Sequence, residues 1–470
     1  MNGVLGPQPR QDVEVVLPGE EGCVARVDRI GRLDLDRLID PLVVRHGLSV
    51  LCSRMPDPSA PTESSDPTNS TNPNSTPDTS TDATVGTSPY PAAAEHAPLS
   101  GLDEFLVHNA PYPVRVMWTP DAQAYERVWF TCQDKVGDLL LVVGLAFYPN
   151  LGTAEAFTIV NVRGRHTTVR AHQKLRNDRM DMRLGPFSFE VEEPFRHWRL
   201  RLDPGRDVKD ATGADLPIAF AIDWLDTKRP VFRQLGAGNI VGGRAMSPIA
   251  GYDGFGRQQG WVEAHGERFE IAIDTHLGTR DHHWGTRDGV GGPGRYMGMQ
   301  HPHSGEWVEF ADFGIWGDHV LYNIGDPRKR SATLSKRVHR MRFEPDTNLL
   351  QSGEVDLHFA DGSMKTMTFE RLGNQIAFLR CGMYGGPNGG TPDGDLWHGM
   401  AVAEGDEVVV HAETFDVSDP DVRTRLAGQD QHHCRVTCDG EVTYGLVEPY
   451  DTLCYEVAKA GVMGFSLLDD

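Results

Sequence analysis

The chain has 470 residues, of which 39% are hydrophobic and 24% are charged, and a formal net charge of −22. This composition predicts a globular protein with two domains, or with one large β domain and additions. The acidic excess argues against a nucleic-acid partner, which requires a positively charged surface. The lack of a signal-peptide pattern and of a long apolar run predicts a cytoplasmic protein without membrane insertion.

The first 98 residues differ in composition from the rest of the chain. Residues 1–55 contain one short apolar pattern, near Leu35 to Leu42, which favours a helix but is too small to form a core. Residues 56–98 consist largely of Pro, Ser, Thr, Asn and Asp. Such a segment buries too little apolar surface to offset the entropy lost on ordering. We therefore predict an N-terminal extension over 1–55 and a disordered linker over 56–98.

From residue 99 onward the sequence has the pattern of β-strands. Apolar and polar side chains alternate in 187–193 (FSFEVEE), 197–203 (HWRLRLD) and 268–274 (RFEIAID). Asp-Gly dipeptides at 361–362 and 439–440 each lie between two such runs and predict hairpins. Many strands joined by short turns indicate an all-β sandwich or barrel.

Two further stretches organise this β region. Residues 137–150 form an apolar run without alternation, which is typical of a strand buried on both faces, and the run ends in a Tyr-Pro-Asn turn. A glycine-rich stretch at 236–260 contains few large apolar residues and indicates a connection between two β halves. We therefore predict a first β domain over 99–240 and a second over 241–470.

The stretch Arg280–Asp288, RDHHWGTRD, combines charged, imidazole and indole side chains. Because side chains alternate along a strand, His282 and Trp284 are expected to share one face. An imidazole can transfer a proton and an indole can stabilise a cation, so this pair predicts an acid–base site in a cavity. Two alternatives remain open: a salt-bridged structural cluster, and a metal site that also uses the histidines of 301–303.

A candidate acid follows this stretch by about one hairpin. If the strand that carries Asp312 neighbours the strand that carries His282, the carboxyl lies across from the imidazole. A carboxyl among aromatic side chains such as Phe310 and Trp316 has a raised pKa and can act as a general acid near neutral pH. The alternative for Asp312 is an ordinary turn or capping residue.

The residues D-H-H-W-G at 281–285 resemble the D-H-x-W-G motif of the carotenoid 1,2-hydratase (hydroxyneurosporene synthase) family and its lipocalin-like relatives. Residues 125–157 and 179–191 look like the N-terminal half of an uncharacterised actinobacterial branch of that group, and the likeness covers about 100–465. This resemblance implies two lipocalin-like antiparallel β-barrels packed on one another. It also implies action on hydrophobic, isoprenoid-like molecules without a cofactor.

The resemblance also implies roles for individual residues. The family's His and Trp fall on His282 and Trp284, and its acid falls on Asp312. In these roles Asp312 donates the proton, His282 orients it or takes a proton back, and Trp284 with Trp316 faces the developing cation. Phe310 stands where the family has a Tyr, and the missing hydroxyl removes a possible hydrogen bond to the acid or to water. This departure argues against hydration itself and leaves isomerisation, cyclisation and simple binding open.

The leading hypothesis is therefore a cofactor-independent lyase or isomerase that acts on a terpenoid- or steroid-like molecule. Tyr148 is expected to join the substrate-binding side chains, and Asp281, Arg280 and Arg287 are expected to support the site. A non-enzymatic lipocalin-like carrier of a lipophilic ligand is the alternative, and a metal-dependent hydrolase is a third hypothesis. We expect neither a metal nor another cofactor.

Overall fold

The computed structural model describes residues 13–16, 24–27, 104–106, 119–176, 178–203, 205, 208–228, 230–235, 240–241, 244–245, 249–287, 289–291, 304–322, 331–382, 399, 407–449 and 451–468. The expected helix near Leu35 and the expected disordered linker at 56–98 lie outside these residues. The chain divides into two units, Met1–Pro89 and Tyr90–Asp470. In the first unit, β1 (Val13–Val16) and β2 (Val24–Val27) form an antiparallel pair.

Nearly all regular structure of the second unit is β. Its described strands and helices are, in chain order, β3 (Ala124–Asp134), β4 (Leu139–Tyr148), β5 (Thr153–Val162), β6 (Arg165–Lys174), β7 (Arg183–Leu184), β8 (Phe187–Glu193), β9 (His197–Leu202), β10 (Ile218–Asp226), β11 (Val231–Leu235), β12 (Ile240–Val241), β13 (Arg244–Ala245), β14 (Ile249–Ala264), β15 (Glu267–Ile271), β16 (His276–Thr286), β17 (Ser304–Glu309), β18 (Phe313–Trp316), β19 (His319–Tyr322), β20 (Ser331–Thr333), β21 (Lys336–Phe343), β22 (Leu350–His358), β23 (Met364–Phe378), a 3-10 turn (Leu379–Cys381), β24 (Val409–Asp416), α1 (Pro420–Leu426), β25 (Asp430–Cys438), β26 (Glu441–Pro449), α2 (Asp451–Ala460) and β27 (Phe465–Leu467). Neither described helix is long and apolar enough to cross a membrane.

The first large sheet contains thirteen of the described strands. Its order is β24-β6-β5-β4-β3-β16-β14-β10-β9-β8-β7, and β11 and β15 also pair with β14. Strand β7 at one end contacts β5 and β6 near the other end, so the sheet curls into a half-barrel. The curl encloses an apolar core in which Phe130 packs against Trp198 and Trp224, with ring centroids 5.2 and 5.3 Å away.

The second large sheet has ten described strands, in the order β20-β19-β18-β17-β26-β25-β23-β22-β21-β27. All pairs are antiparallel except β21 with β27. Its own core includes Val308, Met341 and Val436, and helix α2 adds Cys454 and Val457 to it. This sheet therefore encloses a second core, separate from that of the first sheet.

The two sheets pack against each other through a third apolar cluster. Trp129 and Tyr148 come from the first sheet, and Trp307, Trp316 and Leu446 come from the second. The predicted all-β fold of two curled antiparallel sheets is thereby confirmed. The apolar run before the Tyr-Pro-Asn turn is strand β4, which is buried along its whole length, as predicted.

Most of the predicted strands and hairpins are present. The alternating runs at 187–193 and 197–203 form β8 and β9, and the Asp-Gly dipeptides at 361–362 and 439–440 join β22 to β23 and β25 to β26. The predicted domain division after residue 240 falls inside the first sheet, because β14 pairs with β10 on one side and β16 on the other. The strand that carries the DHHWG motif is thus part of the first sheet.

Asp134 provides a test of how the turn between β3 and β4 is held. Its carboxylate accepts hydrogen bonds from the backbone N–H groups of residues 136–139, at 2.6–3.2 Å. We expect Asp134→Ala to lower the free energy of unfolding by about 2 kcal/mol, because four backbone N–H groups lose a charged acceptor. The measurement is urea denaturation. The matched control is Asp361→Ala, which removes an exposed turn Asp that accepts hydrogen bonds from the backbone N–H and the hydroxyl of Ser363; an equal loss in both variants would contradict this account.

Candidate active site

Strand β16 lies in the middle of the first sheet, between β3 and β14. Two glycines allow the close approach of β14 and β16 at the DHHWG residues. Gly285 has a φ of 133°, a conformation that residues with a side chain rarely adopt. At Gly251 a Cβ atom would lie 2.3 Å from the carbonyl oxygen of His282, so only glycine fits.

One face of β16 presents His282 and Trp284 to the interior of the first sheet. Their ring centroids are 5.3 Å apart, in the side-by-side placement that the alternation of the strand predicts. Tyr252 lies directly opposite His282 on β14 and contacts both rings. His282 is fully buried, whereas Trp284 is partly exposed and packs near Phe232 at 6.2 Å. Trp284 therefore marks the accessible side of this aromatic group.

Both ring nitrogens of His282 have protein partners. Nδ1 lies 3.1 Å from the Tyr252 hydroxyl, and Nε2 lies 3.0 Å from Oε1 of Glu126. The other carboxylate oxygen of Glu126 accepts a hydrogen bond from Arg179 at 3.1 Å. Glu126, Tyr252 and Arg179 are all buried. A carboxylate, an imidazole and a hydroxyl thus form one continuous chain inside the half-barrel.

The hydrogen bonds that join Glu126, His282 and Tyr252 allow two arrangements of protons. The Tyr252 hydroxyl has a single proton, and its neighbours Glu104 and His282 can both accept it. If the hydroxyl donates to Glu104 and Glu126 is ionised, both nitrogens of His282 donate, to Tyr252 and to Glu126, and the ring is an imidazolium. If the hydroxyl donates to His282, the ring is neutral. The arrangement can therefore hold or release a proton at His282 without moving heavy atoms.

Arg280, on the same face, balances the carboxylates of this interior. Its guanidinium donates to Asp226 at 2.7 and 2.9 Å and to Glu104 at 3.1 Å. Burial by itself would lower the pKa of Arg280, but the two carboxylates offset this and raise it well above its ordinary value. Burial, together with the charge of Glu104, also raises the pKa of Tyr252, so its hydroxyl stays neutral. Arg280 thus holds Asp226 and Glu104 in this interior, and its role in supporting a catalytic site stays a prediction.

The opposite face of β16 presents Asp281 and His283 to the second sheet. Asp281 accepts a hydrogen bond from Arg127 at 2.6 Å, and His283 Nε2 lies 3.0 Å from Asp253. Trp316 of the second sheet packs on this face, with its ring centroid 5.9 Å from that of His283. The predicted Trp316 is therefore separated from Trp284 by the thickness of the strand, because the two indoles lie against opposite faces.

Tyr148 and Arg287 also belong to this second face. Tyr148 is buried at the end of β4 among residues of the cluster between the sheets. Arg287 interacts with Tyr125 of β3 and electrostatically with Tyr148. Neither residue contributes to the group around His282, although both were predicted to lie at one site with it.

Asp312 and Phe310 are not part of either group. Asp312 lies in the exposed turn between β17 and β18, where the charged side chain of Lys365 is a neighbour. Phe310 is in the core of the second sheet, stacked on Phe313 at 4.9 Å. The expected pairing of the Asp312 strand with β16 does not form, because β17 pairs with β18 and β26. Glu126 is the carboxylate that actually lies beside His282.

The sequence held one signal for Glu126. On β3 it alternates with Val128 and Phe130, so a charged side chain is placed on a strand face that is otherwise apolar. Such a residue has to find a buried partner, because an unpaired charge in an apolar interior is costly. Tyr252 had no comparable signal, since its proximity to His282 comes from the pairing of β14 with β16.

The metal hypothesis has no set of ligands in the part of the chain that the structure describes. There, no three or more His, Cys, Asp or Glu side chains are grouped as metal ligands would be. The histidines of 301–303 lie outside the described residues.

The comparisons with known proteins find similar sequences and folds. A family model described as a family of unknown function (DUF8625) matches residues 99–310, which is less than half of the chain. No curated protein matches the chain.

Three solved structures are similar over most of their own length. A protein assigned as AttH from Nitrosomonas europaea covers 70% of this chain and 93% of its own, with 12% identity and a TM-score of 0.38. Kievitone hydratase from Nectria haematococca covers 70% of this chain and 90% of its own, with 12% identity and a TM-score of 0.32. CghA with Sch210972 covers 74% of this chain and 96% of its own, with 10% identity and a TM-score of 0.35. Similarities this weak carry no argument about the activity of this chain, and none supports the actinobacterial branch.

The buried ion pairs of Arg280 can be tested by stability. We expect Arg280→Met to lower the free energy of unfolding by about 3–5 kcal/mol, because Glu104 and Asp226 would remain buried without their cation. The control is Arg199→Met, which removes a solvent-accessible Arg with three carboxylate neighbours. Its effect in urea denaturation should be much smaller. Equal effects would show that Arg280 does not balance the interior charges.

Proposed function

We propose that the chain is a cofactor-independent lyase or isomerase that acts on an apolar small molecule, with its proton chemistry centred on His282. The supporting observation is the placement of the His282 imidazole between the Tyr252 hydroxyl and the Glu126 carboxylate, beside a partly exposed indole. Glu126, and not Asp312, is the carboxylate that lies beside His282. The proposed substrate-binding residue on this face is Trp284.

The arrangement supplies the parts that acid–base chemistry on an alkene requires. The imidazolium form of His282 is the proton source, and Glu126, held by Arg179, stabilises that form. Protonation of a carbon–carbon double bond leaves a carbocation, and the indole face of Trp284 stabilises such a charge by cation–π attraction. Return of a neighbouring C–H proton to the site gives an isomer. Capture of the cation by water gives an alcohol and returns a proton, which completes a hydration.

The proposed substrate is terpenoid- or steroid-like. The partly exposed rings of Trp284 and Phe232, 6.2 Å apart, offer an apolar surface, and the DHHWG resemblance points to the same class. Hydration, dehydration, isomerisation and cyclisation share the protonation step and differ in how the cation is consumed. The cytoplasmic location stays a prediction.

A carrier of a lipophilic ligand is the second candidate. The observation that favours it is the complete burial of Glu126, Tyr252 and His282, each with 0% of its surface exposed. In a carrier these groups would serve only to satisfy one another inside the half-barrel, and the bound ligand would leave unchanged.

His282→Asn is the variant that tests the proposal. The probes are squalene and a β,γ-unsaturated steroid ketone, incubated with the purified chain in deuterium oxide and analysed by mass spectrometry and ultraviolet absorption. We expect the wild-type chain to introduce carbon-bound deuterium or to form a product, and His282→Asn to slow this by about 100-fold or more, the usual contribution of a general acid or base. Asp312→Asn should leave the rate unchanged.

The chain provides a matched control in the second sheet. His339 is also buried and also bonds a glutamate, Glu306, at 2.9 Å, but it lies in the other core. His339→Asn should therefore retain the rate, provided that both variants unfold at the same urea concentration as each other. Loss of activity in both variants would indicate a general packing effect. Recovery of every probe unchanged from the wild-type chain would favour the carrier.

A further inference from the structure

A short segment that precedes β3 reaches into the first half-barrel. Residues 104–106 belong to no strand, yet Glu104 and Leu106 are both fully buried. Leu106 is part of the core that the first sheet encloses. We name residues 104–106 the inner segment. Its side chains therefore lie among those of the half-barrel interior, where they can act on the polar groups there.

The inner segment contacts both ends of the polar chain that passes through His282. At one end, the carboxylate of Glu104 accepts a hydrogen bond from the Tyr252 hydroxyl. At the other end, the carbonyl oxygen of Leu106 accepts a hydrogen bond from Nε of Arg179 at 3.1 Å. The same guanidinium donates to the glutamate beside the imidazole. The segment is thus placed to influence where the protons of the chain lie.

The two carboxylate oxygens of Glu104 have different partners. Oε2 accepts from the backbone N–H of Phe195 at 2.8 Å and from the indole N–H of Trp198 at 2.6 Å. Oε1 accepts from the Tyr252 hydroxyl and from Nη2 of Arg280 at 3.1 Å. A backbone N–H and an indole N–H can only donate, so the Oε2 position has to be occupied by an acceptor.

The Tyr252 hydroxyl has two partners that fix the direction of its proton. Nη1 of Arg280 lies 3.3 Å from the hydroxyl oxygen and can only donate, whereas the Glu104 carboxylate, salt-bridged to Arg280, can only accept. The proton of the hydroxyl therefore points to Glu104, because otherwise two acceptor oxygens would face each other with no hydrogen between them. Nδ1 of His282, 3.1 Å from the hydroxyl oxygen, then has to donate to it.

The other nitrogen of the ring also faces an acceptor. Nε2 of His282 lies 3.0 Å from Glu126, whose carboxylate forms a salt bridge with Arg179 at 3.1 Å. Both nitrogens therefore donate, and the ring is an imidazolium. The charged and titratable groups of this interior come from several elements: Glu126 from β3, Tyr252 from β14, Arg280 from β16, Asp226 from β10, Glu104 from the inner segment and Arg179 from the segment before β7.

We propose that Glu104 is a positioning residue that keeps His282 in the imidazolium form by directing the Tyr252 hydroxyl away from it. The proposal rests on the proton chemistry proposed at His282 and names the residue that keeps this acid charged. When the imidazolium has given its proton to the substrate, the ring regains the proton that is released as the carbocation is consumed. Glu104 favours that return, because the Tyr252 oxygen again offers an acceptor to Nδ1.

Glu104→Gln should reverse the hydrogen bond to Tyr252. An amide has one acceptor oxygen and one NH2 group. The backbone and indole donors at the Oε2 position take the oxygen, so the NH2 group lies at the Oε1 position and donates to the Tyr252 oxygen. The hydroxyl then donates to Nδ1 of His282, and the ring becomes neutral. The NH2 group also faces Arg280, so some loss of stability accompanies the reversal.

The test is nuclear magnetic resonance of the full chain with 15N-labelled histidine, which reports the protons on each ring nitrogen. The signals of His282 are identified by their absence from His282→Asn. At neutral pH we expect two ring N–H protons in the wild-type chain and one, on Nε2, in Glu104→Gln. A neutral His282 ring in the wild-type chain would overturn the proposal, whether or not any variant folds.

Asp226→Asn is the matched control, because it removes the same charge from the same guanidinium. Asp226 pairs with Arg280 at 2.7 Å and accepts a hydrogen bond from the indole of Trp224 at 3.0 Å, much as Glu104 does with its own indole partner. Its hydrogen bonds within the described residues do not include Tyr252. The ring should therefore stay an imidazolium. A neutral ring in both variants would show that lost charge, and not hydroxyl direction, controls the ring.

Tyr252→Phe tests whether Glu104 acts through the hydroxyl. In the wild-type background, Glu104→Gln should lower the pH at which the His282 ring gains its second proton. In the Tyr252→Phe background the same substitution should leave that pH nearly unchanged, because the group that transmits the effect is missing. Equal shifts in the two backgrounds would contradict a role exerted through Tyr252.

The reaction rate adds a readout that a purely structural role would not produce. With the β,γ-unsaturated steroid ketone in deuterium oxide, Glu104→Gln should lower the rate at neutral pH by about tenfold or more. The rate should recover as the pH falls, because acid restores the imidazolium. A loss of equal size at every pH would indicate damaged packing and argue against positioning. If the wild-type chain converts no probe, the function proposed at His282 fails, while the ring protonation still decides the role of Glu104.

Discussion

The ion pairs of Arg280 are the constraint on which the first half-barrel depends. Its guanidinium lies among Phe130, Trp198 and Tyr252, where an unpaired charge would be very costly. Asp226 and Glu104 remove that cost, and Glu104 also bonds Trp198 and Tyr252. The aromatic interior and the polar chain to His282 therefore form one unit, in which no member can be removed without leaving a buried group unsatisfied.

Side chains alternate along β16, so neighbouring residues of the DHHWG motif face different surroundings. His282 and Trp284 face the core of the first sheet, while Asp281 and His283 face the second sheet. Two adjacent histidines thus serve different environments, one held by Glu126 and the other by Asp253. Because the strand is shared, the two polar groups are close in sequence but lie on opposite faces of β16.

Local patterns in the sequence were sufficient for the strands and for the face-sharing of His282 and Trp284, since both follow from alternation within a few residues. The partners of His282 were not predictable in this way. Glu126 is 156 positions away in the chain, and it is adjacent only because β3 pairs with β16. Asp312 was favoured because it follows in sequence, yet the next hairpin belongs to the second sheet. The partners of His282 depend on which strands pair in the sheet, and local sequence patterns do not reveal that pairing.

The two cores contain the same polar arrangement, and their difference supports the assignment of chemistry to the first. In the second core His339 bonds one oxygen of Glu306 and Arg337 bonds the other, as His282 and Arg179 do with Glu126. Burial alone would raise the pKa of Glu306, but His339 and Arg337 lower it to about 2.

The surroundings of the two histidines differ, however. His339 stacks on Phe465, with ring centroids 4.7 Å apart. His282 instead has Tyr252 on its second nitrogen and the partly exposed Trp284 at its edge. Both sheets therefore contain a buried glutamate that is hydrogen-bonded to a histidine and an arginine. In the first sheet it has in addition a hydroxyl that can exchange a proton and an aromatic face that reaches the solvent side.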